Sequence, residues 1–284
     1  MIKIGVHPMN LHLRLAEIWP DLFDGIETSF VFYQEGRDTG ALIEAGTIDV
    51  GGTGSTPPLI SQNAGRPVIY LGASAPRPAN GALLVAKDSK IETPAQLRGK
   101  KIALIDGSFH TYLLARSLEQ AGLGLKDVER REMSPAASRD ALAKGAVDVW
   151  IAMAPLIDQT IAQGETRLLS LCGSTIPNRS VFWTLGTSGA SDAELEAFVA
   201  GLVKLGREVS AHPERAAALL AGEKADEKSL AAWKGVVSGR DWTVVPASEA
   251  LVAEQQEEAD VLHAHGDFAE ALTISSFRPA ISVA

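Results

Sequence analysis

Short apolar runs and helically spaced apolar residues alternate along this chain. Ile2 to Val6 interleaves apolar positions with Lys3 and Gly5 and predicts a first strand. Leu11, Leu15, Ile18 and Trp19 then fall on one face of a helix that stops at Pro20. Residues 26–33 are strand-like, 39–45 make a short helix ended by Gly46, 48–50 form a third strand and 67–72 a fourth. The same alternation resumes with strands at 102–105, 128–132, 147–151 and 168–171 and helices at 109–121, 136–144 and 156–162. After a strand at 181–185 the chain turns helical, over 194–211, 213–221, 227–236 and 247–263. Alternating strands and helices predict an α/β fold with a parallel, doubly wound sheet.

Two segments break this pattern. Residues 74–81 carry Pro76, Pro78 and Gly81, and 172–179 carry Gly173, Pro177 and Asn178. They read as an outward and a return crossing between two lobes. The expected division is residues 1–83 with 181–284 as a discontinuous first lobe, and 84–180 as an inserted second lobe. Two connections make a hinge, and α/β lobes bind ligands at the C-terminal ends of their strands.

Chemistry concentrates at two of those strand ends. Gly51-Gly52-Thr53-Gly54-Ser55-Thr56-Pro57-Pro58 follows the run Ile48-Asp49-Val50 and precedes a helix. A glycine-rich turn into a helix exposes N–H groups that the helix cannot use, and with its dipole it favours an anion. Ser55 and Thr56 add hydroxyls, and proline in the first turn removes only N–H groups without helical partners. Asp106-Gly107-Ser108 before Phe109 and His110 repeats the design. Capping alone also places Gly and Ser at such turns.

Composition narrows the classes. With 46% hydrophobic residues in 284, a sizeable core is expected. A net charge of -9 speaks against nucleic acid as the main partner but not against a small anion, which responds to local dipoles. The single cysteine, Cys172, excludes an intrachain disulfide and a four-cysteine zinc site. The first residues enter a strand at once and show no secretory leader, so a cytoplasmic chain and a mature form without its leader both remain open.

These residues resemble the substrate-binding proteins of ABC importers for nitrate, sulfonates and taurine, especially the aliphatic sulfonate binders. The likeness runs through Asp49 to Pro58, Leu84-Val85-Ala86-Lys87-Asp88-Ser89-Lys90-Ile91, Leu97-Arg98-Gly99-Lys100-Lys101-Ile102-Ala103, Gly107 to Leu114, and Gly145-Ala146-Val147-Asp148-Val149-Trp150 with Pro155. It covers about residues 1–215. The resemblance implies a two-lobed type II periplasmic-binding-protein fold with a hinge and an interlobe ligand cleft. It also implies transport of a small organic oxyanion, an alkyl or aryl sulfonate, handed to an ABC permease by a monomer outside the cytoplasm. No cofactor or metal is expected.

The candidate ligand-binding residues are Asn10, Thr53, Gly54, Ser55, Thr56, Arg77, Gly107, Ser108, Phe109 and His110. Neutral donors suit a sulfonate, which is ionised without needing a proton acceptor in its site. Gly107 and Ser108 offer donors at a helix start, Phe109 an apolar contact, and His110 either a ligand donor or a backbone-satisfied ring. Asn10 also suits a plain N-cap, and Arg77 a role at the hinge. Trp150, Met153 and Trp183 suit the core better than a cleft. His7 and His12, five apart, lack helical metal-ligand spacing, and His263 and His265 are expected at the surface. ATP-loop, dinucleotide and serine-hydrolase motifs are absent. The alternative is an enzyme or sensor on the same fold, desulfinase-like or pyrimidine-synthase-like. The first strand offers no cysteine to a desulfinase, which needs a thiolate.

Overall fold

The structure is a computed structural model, and it describes residues 1–278. In chain order the elements begin β1 (Ile2–Val6), α1 (Leu11–Ile18), β2 (Thr28–Phe32), α2 (Thr39–Glu44), β3 (Gly51–Thr53), α3 (Thr56–Asn63) and β4 (Val68–Ser74). They continue β5 (Gly81–Ala86), β6 (Lys101–Leu104), α4 (Phe109–Glu119), β7 (Glu129–Glu132), α5 (Pro135–Ala143), β8 (Val149–Met153), α6 (Leu156–Ala162) and β9 (Thr166–Leu171). The last are β10 (Val181–Leu185), α7 (Asp192–Ala211), α8 (Pro213–Ala221), α9 (Glu227–Ser238), β11 (Val244–Pro246) and α10 (Glu249–Ala264).

The chain divides into two units. The first comprises Met1–Ala75, Arg179–Glu257 and the chain from Leu272; the second comprises Pro76–Asn178 and Glu258–Ala271. The chain changes unit within each of the two irregular segments. Three stretches differ from the sequence reading: 179–180 belongs to the first unit, and 76–83 and 258–271 belong to the second. The last belongs there because His265 and Asp267 bond to Glu119, Leu125 and Arg130.

In the first unit β1 pairs in parallel with β2, and Ile4 forms a parallel bridge to Val50 just ahead of β3. β10 lies between β3 and β4, antiparallel to both, and β11 runs antiparallel along the far side of β4. The second unit has the strand order β7-β6-β8-β5-β9. Its β6 is parallel to β7 and β8, while β5 is antiparallel to β8 and β9. The expected parallel sheet is therefore replaced by a mixed sheet in the second unit and, in the first, by a four-stranded sheet whose neighbours are all antiparallel beside the parallel β1–β2 pair. In each unit the strand by which the chain enters, β5 or β10, runs against its neighbours. Direction is a nonlocal property that hydrophobic periodicity does not carry.

Both units bury their own core. Leu13, Leu15, Phe182, Phe198, Leu202 and Trp242 centre the first. Leu83, Leu104, Leu113, Val149 and Ile151 centre one side of the second sheet, with Leu84 and Trp150 on the other. Expected helices at 156–162 and 213–221 coincide with α6 and α8. The third strand does not: it is Gly51–Thr53 rather than 48–50. The glycines are there for room. A Cβ on Gly51 would stand 2.7 Å from Thr39 Cγ2, and one on Gly52 would stand 2.6 Å from Asn10 Nδ2 and 2.7 Å from Phe182 Cδ1.

Candidate functional site

Within the first unit, β1, β3 and β4 run the same way, so the chain leaving β1 and the chain leaving β3 emerge at one edge. Asn10 is the N-cap of α1, and its Oδ1 accepts the Leu13 N–H at 3.1 Å. Its other end, Nδ2, is buried and meets no partner among the described residues. That nitrogen lies against Gly52, one residue before Thr53. Thr53 Oγ1 donates to the Gly54 carbonyl at 2.8 Å and accepts the Trp183 Nε1–H at 3.0 Å. Its hydroxyl is thus committed, and Trp183 serves the turn as well as the core. Ser55 precedes α3 in helical backbone conformation and makes no capping bond. Thr56, Pro57 and Pro58 open α3, all buried. Asn10 Nδ2 and the Ser55 hydroxyl are the donors this edge presents beside Gly54.

The histidines of this region take other places. His12 packs its ring against Phe182 and Trp242, with Nε2 3.3 Å from the Trp242 carbonyl. His7 Nδ1 accepts the Met9 N–H at 3.4 Å. No group of three His, Cys, Asp or Glu able to hold a metal occurs among the described residues.

Within the second unit the turn after β6 is tied together from inside. Gly107 adopts φ 69, which a glycine accepts without strain. Its N–H goes to Thr111 Oγ1 at 3.0 Å and Asp106 Oδ1 at 3.2 Å. Ser108 caps α4: its Oγ accepts the His110 N–H at 3.2 Å and donates to the Ile105 carbonyl at 2.7 Å. Neither the Gly107 N–H nor the Ser108 hydroxyl is a spare donor, contrary to the sequence expectation, because both close the turn.

The spare donor is His110. Its Nδ1 accepts the Ile105 N–H at 3.1 Å, which puts the ring proton on Nε2. Nε2 is buried and unpartnered among the described residues. Burial pushes the imidazole down to about 3, so at neutral pH it is an uncharged N–H donor. Phe109 meets this ring edge-on at 4.6 Å between centroids and belongs to the core with Leu113 and Cys172. The apolar tail contact expected of Phe109 is instead a core contact.

Arg77 is buried and fastened. Its Nε donates to the Asn178 carbonyl at 2.9 Å and Nη2 to Asn178 Oδ1 at 3.1 Å, joining the two crossing segments within the second unit. Asn178 sits at φ 47, a conformation asparagine tolerates better than most residues. The Cys172 thiol donates to the Pro78 and Arg77 carbonyls and accepts from Asn178 Nδ2. His265, expected at the surface, accepts the Leu125 N–H and bonds Glu119. Asp106, Thr111 and Asn178, which the sequence marked only as parts of a turn, a family-like run and a crossing, prove to hold those segments in shape. A threonine one helical turn after a glycine, and an asparagine closing a proline-rich loop, were the available signals.

Each of the two turns, taken within its own unit, therefore offers uncharged donors. The NMT1/THI5-like family profile matches residues 23–176. An aliphatic sulfonates-binding protein of Escherichia coli (strain K12) is 30% identical over 270 residues, spanning 92% of this chain and 81% of that protein. The alkanesulfonate-binding protein SsuA from Xanthomonas axonopodis pv. citri, solved bound to MOPS, superposes with a TM-score of 0.83 at 26% identity over 96% of both chains. The periplasmic aliphatic sulphonate binding protein SsuA from Escherichia coli gives 0.81 at 28% identity, covering 96% of this chain and 90% of that one. The desulfurization enzyme DSZB shares the fold at 18% identity, with a TM-score of 0.67 over 96% of this chain and 94% of its own.

Proposed function

The chain belongs to the NMT1/THI5-like family, and from that premise we propose that it is a solute-binding protein for a small organic sulfonate, delivered unchanged to an ABC permease. The observation that carries this reading is the chemistry of the leftover atoms. At both turns the buried polar atom without a partner, Asn10 Nδ2 or His110 Nε2, is an N–H donor. Leaving a buried donor unpaired costs about 1–3 kcal/mol, which a bound acceptor returns. A head group that only accepts, and that stays ionised without help from a base, fits such donors. A sulfonate has that character, and a phosphate monoester, which still titrates near neutral pH, does not. Asn10, Thr53, Gly54, Ser55, Thr56, Arg77, Gly107, Ser108, Phe109 and His110 make up the proposed site. In it Asn10, Ser55 and His110 give direct donors, while Thr53, Arg77, Gly107, Ser108 and Phe109 hold the turns in shape.

The same reading takes the protein to work as a monomer outside the cytoplasm, the compartment named for its periplasmic relative from Escherichia coli. Binding is its whole activity. Desulfination asks for a thiolate, and the thiol of this chain is buried with its sulfur spent on two carbonyls and an amide. The test is to incubate the protein with a panel of alkyl and aryl sulfonates, matched carboxylates and phosphate monoesters, recording thermal shift and the mass spectrum of the recovered ligand. Sulfonates should raise the melting temperature and return intact. A shift confined to another head group, or a desulfonated product, would overturn the proposal.

A further inference from the structure

The turn proposed to receive an anion carries an anion of its own. Asp106 directly precedes Gly107, and one of its oxygens, Oδ1, gathers three donors. They are the Gly107 N–H at 3.2 Å, Thr111 Oγ1 at 2.8 Å and Arg130 Nη1 at 3.0 Å. The carboxylate is needed to shape the turn, yet its charge repels any anionic head group bound there. Arg130, which reaches it from the edge strand β7, is the one basic residue that contacts it among the described residues. The guanidinium is held in turn by Asp267, with Nη2 2.9 Å from Oδ1 and Nη1 3.1 Å from Oδ2. Asp267 belongs to the stretch Glu258–Ala271 that returns to the second unit. His265, two residues earlier, fixes that stretch through Leu125 and Glu119.

We propose that Arg130 is a positioning residue for ligand binding: it cancels the charge of Asp106 and fixes its orientation, so that a carboxylate shapes the turn without opposing the anion. The inference rests on the binding reading above. Its signature is electrostatic. Coulomb repulsion between partly exposed charges is screened by salt, whereas lost packing is not.

The test is calorimetric titration with MOPS, in a phosphate-free and sulfonate-free buffer, at low and high ionic strength. Arg130→Gln should weaken binding by about five- to tenfold at low salt, the effect of one exposed charge at short range, and by much less at high salt. Arg130→Gln combined with Asp106→Asn should recover most of that loss, because the repelling charge is gone. Asp106→Asn alone keeps a side-chain oxygen for the turn and removes the repelling charge, so it should bind more tightly than wild type at low salt, and it serves if Arg130→Gln does not fold. An Arg130→Gln protein that binds as wild type does, or that loses equally at both ionic strengths and in the double variant, overturns the inference alone. So does an Asp106→Asn protein that binds more weakly than wild type at both ionic strengths. Wild type that binds neither MOPS nor any alkanesulfonate overturns the binding reading, and this inference with it.

Discussion

Asn10 performs two tasks with two atoms, and substitution can separate them. Its Oδ1 caps α1 through the Leu13 N–H, while Nδ2 is the buried donor without a partner. Asn10→Ser keeps an oxygen suited to the cap and deletes the donor; Asn10→Ala deletes both. Serine and asparagine are nearly equal as N-caps, so Asn10→Ser should cost little helix stability, whereas Asn10→Ala should cost about 0.5–2 kcal/mol. The donor is a separate sum. A hydrogen bond to a charged group contributes about 1.5–3 kcal/mol, so both variants should bind a sulfonate roughly 10- to 150-fold more weakly than wild type. Urea melts give the first quantity and calorimetric titration with an alkanesulfonate the second. If Asn10→Ser binds as tightly as wild type, Nδ2 faces no ligand and is not a donor to the sulfonate. If affinity falls only in step with stability, Asn10 is a cap and nothing more.

Three further outcomes are expected. Ser55 makes no capping bond whereas Ser108 makes one, so Ser55→Ala should weaken sulfonate binding at unchanged melting temperature, and Ser108→Ala should lower stability by about 0.5–2 kcal/mol; melts and titrations of both variants check this. Burial lowers the His110 pKa from 6.5 to about 3, so the unfolded chain takes up the proton first. The stability this histidine allows is complete above about pH 6.5 and drains away as pH falls toward 3, by roughly 2 kcal/mol between pH 7 and 5; His110→Gln should abolish that share of the slope in urea melts at the two pH values. Thr53→Val strands the buried Trp183 Nε1–H and should cost about 1–3 kcal/mol, seen as a lower denaturation midpoint with an unchanged slope.

Much of the fold could be read from local pattern because local pattern makes it. Pro213 and Glu214 start α8, Ser191 and Glu194 box the start of α7, and Ile2 to Val6 alternates into a core. What stayed hidden depends on residues far apart in the chain. Gly51 and Gly52 looked like a turn and are a strand, because Thr39, Asn10 and Phe182 occupy the space side chains would need. The antiparallel course of β5 and β10 is set by partners that no nearby residue announces.

The site divides in the same way. Its turns were visible as glycine and serine before helices, but the state of each donor was not. Thr53 is committed to a tryptophan 130 positions away, Arg77 to an asparagine 101 positions away, and Asp106 to an arginine whose other hand holds the C-terminal stretch. Ser108 and Gly107 looked available and are consumed by their own turn. His110, ambiguous by type, becomes definite only when the Ile105 N–H is seen to select its tautomer.

Direct calorimetric titration of wild type with 1-butanesulfonate, beside 1-butylphosphate and pentanoate, weighs these conclusions against one another most plainly. Saturable uptake of one sulfonate per chain, with the phosphate ester and the carboxylate bound far more weakly, is the expected result. Equal or tighter binding of the phosphate ester would mean that the site supplies a charge or a proton acceptor, and uncharged donors would no longer explain what it holds.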